Sequence, residues 1–115
     1  FQIVDDILDF RGQPEEVGKP VGSDLAQGIL TLPAIMAMEG HPGENPIRAL
    51  FQRPEDEGSL RLVVEMIQEP SNMEKAYAVA EEYTGKALAH LSKLGPIPAR
   101  DSLEQLADYV LRRRS

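Results

Sequence analysis

The residues best suited to chemistry are aspartates close to the start of the chain. Asp5, Asp6 and Asp9 lie within one amphipathic segment, FQIVDDILDF, and Asp24 follows a glycine-rich stretch. The first 24 residues contain six carboxylates and only two basic side chains, although the net charge of the whole chain is only −7. Mg²⁺ favours one or two carboxylates together with the phosphate oxygens of a substrate. This segment could therefore hold a hard divalent cation.

A helical wheel places these carboxylates and one amide on the same side of the segment. With Asp5 at zero, Asp9 falls near about 40°, Gln2 near about 60° and Asp6 near about 100°. The apolar side chains fall between about 140° and 300°. Asp5 and Asp9 repel each other at this spacing, and neither has a basic residue four positions away. A bound cation would relieve the repulsion, but a solvated acidic face explains the spacing equally well.

Three rival sites do not fit the sequence. A calcium-binding EF-hand loop that began at Asp5 would place Ile7 at its third ligand position, where a polar residue is needed. The phosphate-binding loop motif requires four residues between its glycines, but five separate Gly12 from Gly18. A zinc site is not supported, because the two histidines are isolated and the chain has no cysteine.

The composition excludes several classes of protein. The chain is 42% hydrophobic and 27% charged, as is ordinary for a globular domain. It has no apolar run of the roughly 18 residues that would predict a membrane span. A general nucleic-acid binder would show a basic footprint, whereas this chain is acidic. The absence of cysteine excludes disulfides and a thiolate nucleophile.

The elements that must position the aspartates are helices, and we predict an all-α fold. Residues 11–30 predict a loop because they are rich in glycine and proline. Asn45 followed by Pro46 predicts a capped helix start. Ser71 with Glu74, and Ser102 with Gln105, predict capping boxes at two later starts. The predicted helices cover residues 1–10, about 31–39, about 46–53, 59–69, 71–93 and 102 onward.

The first 33 residues resemble the second aspartate-rich region of the trans-isoprenyl diphosphate synthases, also called polyprenyl synthetases. The matching residues are Phe1-Gln2, the DDxxD of Asp5, Asp6 and Asp9, Gly18-Lys19-Pro20, Gly22-Ser23-Asp24-Leu25 and Thr31-Leu32-Pro33. A lone DDxxD is a weak signal, but this ordered block is specific. Downstream, the resemblance lies mainly in the order of helices and in the ending LADYVLRRRS.

The resemblance implies an all-α bundle with a central cavity and a metal-dependent prenyl transfer. Such enzymes condense an allylic diphosphate with isopentenyl diphosphate, head to tail. Two aspartate-rich helices hold Mg²⁺ ions that help the diphosphate to leave. The double bond of isopentenyl diphosphate then attacks the allylic cation, and a proton is lost. Neutralising the charge that develops on the leaving group is the expected electrostatic role of the metal.

Four aspartates take metal roles if the resemblance is carried over residue by residue. Asp5 is then the direct Mg²⁺ ligand. Asp6 and Asp9 support the metal and its bound waters. Asp24 matches an aspartate that reaches the same metal through water. Asp5 and Asp6, with Lys19, are the predicted catalytic residues.

Two residues match positions that contact the allylic diphosphate, Gln2 and Lys19. Lys19 follows a glycine and carries a compact charge suited to a phosphate, although an exposed loop lysine would look the same. The tail, Arg112–Arg114, is similar to the basic C-terminus that closes over the site in some members. We prefer a simpler interpretation, in which positive charge suits the end of the last helix.

The resemblance also implies that residues 1–115 are the C-terminal portion of a synthase domain whose upstream half is absent. That half carries the first aspartate-rich motif and the isopentenyl diphosphate site, so this portion alone is expected to be inactive. The complete enzyme is expected to be a cytoplasmic homodimer. The alternative is a non-catalytic subunit of a heteromeric synthase, which predicts degraded aspartates and a lost lysine. An acidic helical module with no substrate is a third possibility.

Overall fold

The computed structural model describes residues 1–11, 21–43, 45–52 and 57–113. These residues form seven helices and no strand, which confirms the predicted all-α fold. The helices are α1 (Gln2–Arg11), α2 (Ser23–Ala26), α3 (Leu32–Gly40), α4 (Pro46–Gln52), α5 (Glu57–Ile67), α6 (Pro70–Leu91) and α7 (Pro98–Arg112). Within these ranges, no helix is both long and apolar enough to cross a membrane.

The core forms where α1, α3 and α6 meet, and α5 joins it from the side of α3 and α4. From α1 it receives Val4, Ile7, Leu8 and Phe10, the apolar side of the predicted wheel. Burying one such side chain stabilises a fold by about 1.5–3 kcal/mol. The apolar stripe therefore fixes the rotation of α1 and keeps its acidic side out of the core.

Helix α3 begins as predicted but presents an unexpected face to the core. Thr31 precedes it and proline lies in its first turn. Pro33, Ala34 and Ala37 are buried, whereas Ile35 is 40% exposed. Of the predicted apolar residues of this helix, Met36 and Met38 pack partly buried against the core, and only Ile35 lies outside it. The small side chains of Ala34 and Ala37 allow α1 and α6 to approach the α3 backbone closely. A prediction based on hydrophobicity favours larger apolar residues and so gives such small side chains little weight.

Local polar contacts join the ends of neighbouring helices. Asn45 caps α4 as predicted, because its Oδ1 accepts a hydrogen bond from the Ile47 amide at 2.9 Å. Its Nδ2 donates to the carbonyl oxygens of Met38 at 3.3 Å and His41 at 3.2 Å. The buried side-chain amide of Asn45 thus forms hydrogen bonds both at the C-terminal end of α3 and at the N-terminus of α4.

Both predicted capping boxes are wrong, because each helix begins earlier, at a proline. Helix α6 starts at Pro70, and the carbonyl of Glu69 accepts the amides of residues 72 and 73. Helix α7 starts at Pro98, so Ser102 lies inside it and donates its hydroxyl to the Pro98 carbonyl at 3.1 Å. Proline presets the helical φ and lacks the amide that a cap would satisfy.

The predicted loop over residues 11–30 is also partly wrong, because Ser23–Ala26 form the short helix α2. Arg11 closes α1, and residues 12–20 lie outside the described part of the chain. Lys19 is among them. The C-terminal end of α7 is held by Tyr77 of α6, whose hydroxyl donates to the Leu111 carbonyl at 2.5 Å.

Candidate functional site

The polar side of α1 stays out of the core, as the wheel predicted. Gln2 is exposed, and Asp5, Asp6 and Asp9 are each partly exposed. Gln2 Nε2 donates to Asp6 Oδ1 at 2.9 Å, one turn along the same face. We call these four residues the acidic face. Its side chains point away from the core because the stripe of apolar residues on the opposite side of the helix is buried.

Asp5 is paired with a basic residue that is distant from it in the sequence. It forms an ion pair with the guanidinium of Arg113, whose carbon lies 4.5 Å from the centroid of the Phe1 ring. The Arg113 side chain is 17% exposed and that of Asp5 is 37% exposed. The hydrogen bond from Tyr77 to Leu111 fixes the backbone that leads to Arg113. A long-range cation therefore relieves part of the repulsion between carboxylates.

This contact corrects our preferred interpretation of the basic tail. Arg112 does behave as a solvated helix end, since it pairs with Asp108 at 3.1 Å and its side chain is 76% exposed. For Arg113 the interpretation is wrong, because aromatic and carboxylate groups of α1 and its flank cover it. Arg114 lies outside the described residues.

Asp9 has a different set of partners from its neighbours. Its Oδ1 accepts the Ser23 amide at 3.2 Å and the Ser23 hydroxyl at 2.8 Å. Its Oδ2 accepts the Asp24 amide at 3.2 Å. The Asp9 backbone carbonyl also accepts the Gly22 amide at 2.9 Å. Asp24, a predicted metal residue, is thereby bonded through its backbone to the last turn of α1.

Gly22 permits this close return of the chain. Its φ of +74° lies in the left-handed region, which side chains disfavour. A Cβ at this position would lie 2.8 Å from Val64 Cγ2 and 3.6 Å from Phe10 Cε1. Glycine is therefore required both for the backbone angle and for the space between α1 and α5.

We expect Gly22→Ala to destabilise the complete protein. The left-handed backbone alone costs an alanine about 1–2 kcal/mol, and the overlap with Val64 adds to this. Thermal unfolding measures the loss. The matched control is Gly85→Ala in α6, where a Cβ meets nothing within 4 Å and removing the glycine stabilises a helix by about 1 kcal/mol. Equal melting temperatures for the two variants would contradict this role of Gly22.

The donor set suits Mg²⁺ chemically but is not a complete cage. Among the described residues, no three carboxylates or histidines converge as a group that could hold a metal. Mg²⁺ does not require such a cage, because it is commonly bound by one or two carboxylates plus substrate phosphates and water. Asp5 and Asp6 on an accessible face fit that mode, and Gln2 adds an amide donor beside them.

Other features of the described residues add no metal chemistry. An apolar groove of about 660 Å³ runs between α1, α6 and α7, and no carboxylate is among its lining residues. On the exposed side of α6, a hydrogen bond from Lys86 to Glu82 lowers the pKa of the Glu82 carboxyl and raises the pKa of the Lys86 amine. The Coulomb attraction between the two charges also lowers the pKa of Glu82 and raises the pKa of Lys86.

Sequence reasoning missed two participants. Ser23 carried a signal, because it lies in the block Gly22-Ser23-Asp24-Leu25, but its partner Asp9 is distant in sequence. Arg113 carried only the signal of a basic tail. Lys19, the predicted diphosphate-binding and catalytic lysine, lies outside the described residues.

Comparisons with family models and with curated proteins both indicate the same family. The profile of a family described as polyprenyl synthetase matches residues 1–67. The heptaprenyl diphosphate synthase component 2 of Bacillus subtilis is 39% identical over 114 residues, which are 99% of this chain and 32% of that protein. The chain thus spans about a third of the length of such curated relatives.

Solved structures resemble the fold over nearly the whole chain. A heptaprenyl diphosphate synthase from Staphylococcus aureus superposes with a TM-score of 0.90 at 33% identity, covering 99% of this chain and 36% of that one. A polyprenyl synthase from Caulobacter crescentus, in complex with calcium and isoprenyl diphosphate, gives 0.83 at 32% identity with the same coverage.

Proposed function

Since the chain belongs to the polyprenyl synthetase family, we propose that it is the C-terminal portion of a trans-prenyl diphosphate synthase. The complete enzyme would condense isopentenyl diphosphate with an allylic diphosphate, head to tail, in a Mg²⁺-dependent reaction. The observation that carries this proposal is the acidic face, where Asp5, Asp6 and Gln2 stay accessible at the positions that match the family's aspartate-rich block.

The carboxylates divide the metal-binding task. Asp5 is the direct ligand, Asp6 supports the metal and its bound waters, and Asp24 reaches the same metal through water. Asp9 also supports the metal. The partial exposure of Asp5 and Asp6 leaves their oxygens accessible to a hydrated cation, and Mg²⁺ keeps several of its waters when it binds proteins.

Gln2 and Lys19 bind the allylic diphosphate. The Gln2 amide, beside Asp6 on the same face, can donate a hydrogen bond to a phosphate oxygen. The Lys19 ammonium supplies a compact positive charge for the same group. Bound Mg²⁺ would supply the charge neutralisation that lets the diphosphate leave. A structure of a relative in complex with calcium and isoprenyl diphosphate supports both a divalent cation and this substrate class.

A non-catalytic subunit of a heteromeric synthase is the second candidate. Relatives named as component 2 of a heptaprenyl diphosphate synthase favour an enzyme with more than one kind of subunit. Such a subunit would be free to lose its aspartates, yet all of those in the DDxxD are present, as are Lys19 and Asp24. We therefore favour a catalytic chain, and a cytoplasmic homodimer for the complete enzyme as the family resemblance implies.

Calorimetry on the complete protein tests the proposal. We expect an allylic diphosphate to bind in the presence of Mg²⁺ and to lose most of its affinity when the metal is chelated. Lys19→Gln, which removes the charge but keeps a polar side chain, is expected to weaken binding by about tenfold or more, as for one charge-assisted contact. Failure to detect Mg²⁺-dependent binding would overturn the proposal. Turnover that required a second kind of chain would favour the heteromeric alternative.

A further inference from the structure

We infer that Asp9 is a positioning residue, which acts on the metal site by holding the turn of Ser23 and Asp24 against α1. This inference rests on the proposed function and makes it more specific. It separates the last aspartate of the DDxxD from the first two. Asp9 would then influence the metal through the backbone of Asp24, and its own oxygens would not reach the metal.

The hydrogen bonds of Asp9 carry the inference. A carboxylate has about four lone-pair sites, and the turn occupies three of them. Ser23 takes two of these through its amide and hydroxyl, and the Asp24 amide takes the third on the other oxygen. Hydrogen bonds to an ionised carboxylate are stronger than neutral ones. The Asp9 side chain is therefore already committed to protein donors on both of its oxygens.

Its neighbours in the motif have no such commitment. Asp6 accepts from Gln2, which lies on the same exposed face of the same helix. Asp5 pairs with the side chain of Arg113, which follows α7. Neither of these contacts fixes a second segment of backbone to α1. Among the three, the third position of the motif is the one that binds the backbone amides of another segment.

Backbone geometry reinforces the same anchor. The Gly22 amide donates to the Asp9 carbonyl at 2.9 Å, immediately before the turn that the side chain holds. The left-handed Gly22 packs tightly on Val64 and Phe10, so the turn has little space in which to shift. Asp9 therefore holds the Gly22–Asp24 turn against α1 through both its backbone and its side chain.

Hydrogen exchange in the complete protein tests the anchor directly. Asp9→Asn keeps the shape but turns one oxygen into an amide group that faces a donor. We expect exchange at the Ser23 and Asp24 amides to accelerate by about tenfold or more, the loss expected for a charged hydrogen bond. Asp101→Asn removes an exposed carboxylate from the first turn of α7 and is the matched control. Unchanged exchange in Asp9→Asn would overturn the inference.

Mg²⁺ dependence distinguishes positioning from ligation. Ser23→Ala deletes one hydrogen bond to Asp9 and leaves every carboxylate in place. If Asp9 acts through the turn, Ser23→Ala raises the Mg²⁺ concentration needed for half-maximal turnover, and so does Asp9→Asn. The double variant then shows less than the sum of the two effects, because both break one network.

Two results would contradict positioning. If Asp9 were a ligand, Ser23→Ala would leave the Mg²⁺ dependence unchanged while Asp9→Asn shifted it strongly. If Asp9 mattered only for folding, exchange would accelerate with no change in Mg²⁺ dependence. Should Asp9→Asn fail to fold, Ser23→Ala alone decides by the same two measurements.

The failure of the proposed function would be distinguishable from the failure of this inference. Asp5→Asn tests the metal site without touching the turn. If the unsubstituted protein showed no Mg²⁺-dependent binding of an allylic diphosphate, the proposed function would fail even where exchange had accelerated in Asp9→Asn. If the unsubstituted protein bound it, Asp5→Asn lost that binding, and the Ser23 and Asp24 amides in Asp9→Asn stayed protected, only the positioning role would be overturned.

Discussion

Asp5→Ala is expected to lower turnover of the complete enzyme by about a hundredfold or more, the loss typical when one preorganised electrostatic group is removed. The melting temperature should change little. Asp5 is not part of the core, and its side chain is 37% exposed. Its pair with Arg113 is partly solvated, and such pairs stabilise a fold by about 0–1 kcal/mol. Steady-state kinetics and thermal unfolding of the same preparation measure the two effects.

Arg113→Ala is the matched control for this prediction. It removes the same ion pair but leaves the proposed metal ligand in place. We expect it to reduce turnover far less than Asp5→Ala does. A normal rate for Asp5→Ala would end the catalytic assignment. Equal losses in both variants would show instead that the ion pair itself, and not the metal, is what turnover requires.

Phe10→Ala is expected to lower the free energy of unfolding by about 3–5 kcal/mol, the usual cost of truncating a buried phenylalanine. The Phe10 ring is 1% exposed and also supports the left-handed Gly22. Its backbone carbonyl accepts Gln68 Nε2 at 2.7 Å, which joins α1 to the end of α5. Truncation thus leaves a cavity directly beneath the turn. Urea unfolding followed by circular dichroism measures the loss.

Phe51→Ala makes the same chemical change at the end of α4, where the ring is 40% exposed. Its expected cost is smaller, because fewer atoms lose contacts and no enclosed cavity forms. Comparable losses for the two phenylalanines would contradict the packing described for α1. A large loss at Phe10 alone would confirm that packing of the buried side of α1 holds the helix that bears the acidic face.

Helical periodicity made the orientation of α1 predictable. One stripe of apolar residues determines which side is buried, so the outward position of Gln2 and the aspartates followed from spacing alone. The cap at Asn45 was predictable for the same reason, since its partner Ile47 is two residues away. The capping boxes failed because a proline competes locally for the first helical position, and at Pro70 and Pro98 it prevails.

The contacts that distinguish the three aspartates could not be predicted from spacing. The Asp9 side chain meets Ser23 across a chain reversal, and Asp5 meets Arg113 across almost the full length of the sequence. Both depend on how separate helices pack, which no local pattern specifies. The resemblance separated Asp5, as the direct ligand, from Asp6 and Asp9, as supporting residues, but it indicated no protein partner for any of them. The structure gives each of the three a different partner.

The hydrogen bond from Tyr77 to the Leu111 carbonyl has a practical consequence for anyone handling this protein. It ties the backbone at the end of α7 to α6, and Arg113, which follows, pairs with Asp5 on the aspartate-bearing helix. A reporter group or label attached near Leu111 would therefore perturb α1 as well. Purification handles and fluorescent reporters are better attached at another position.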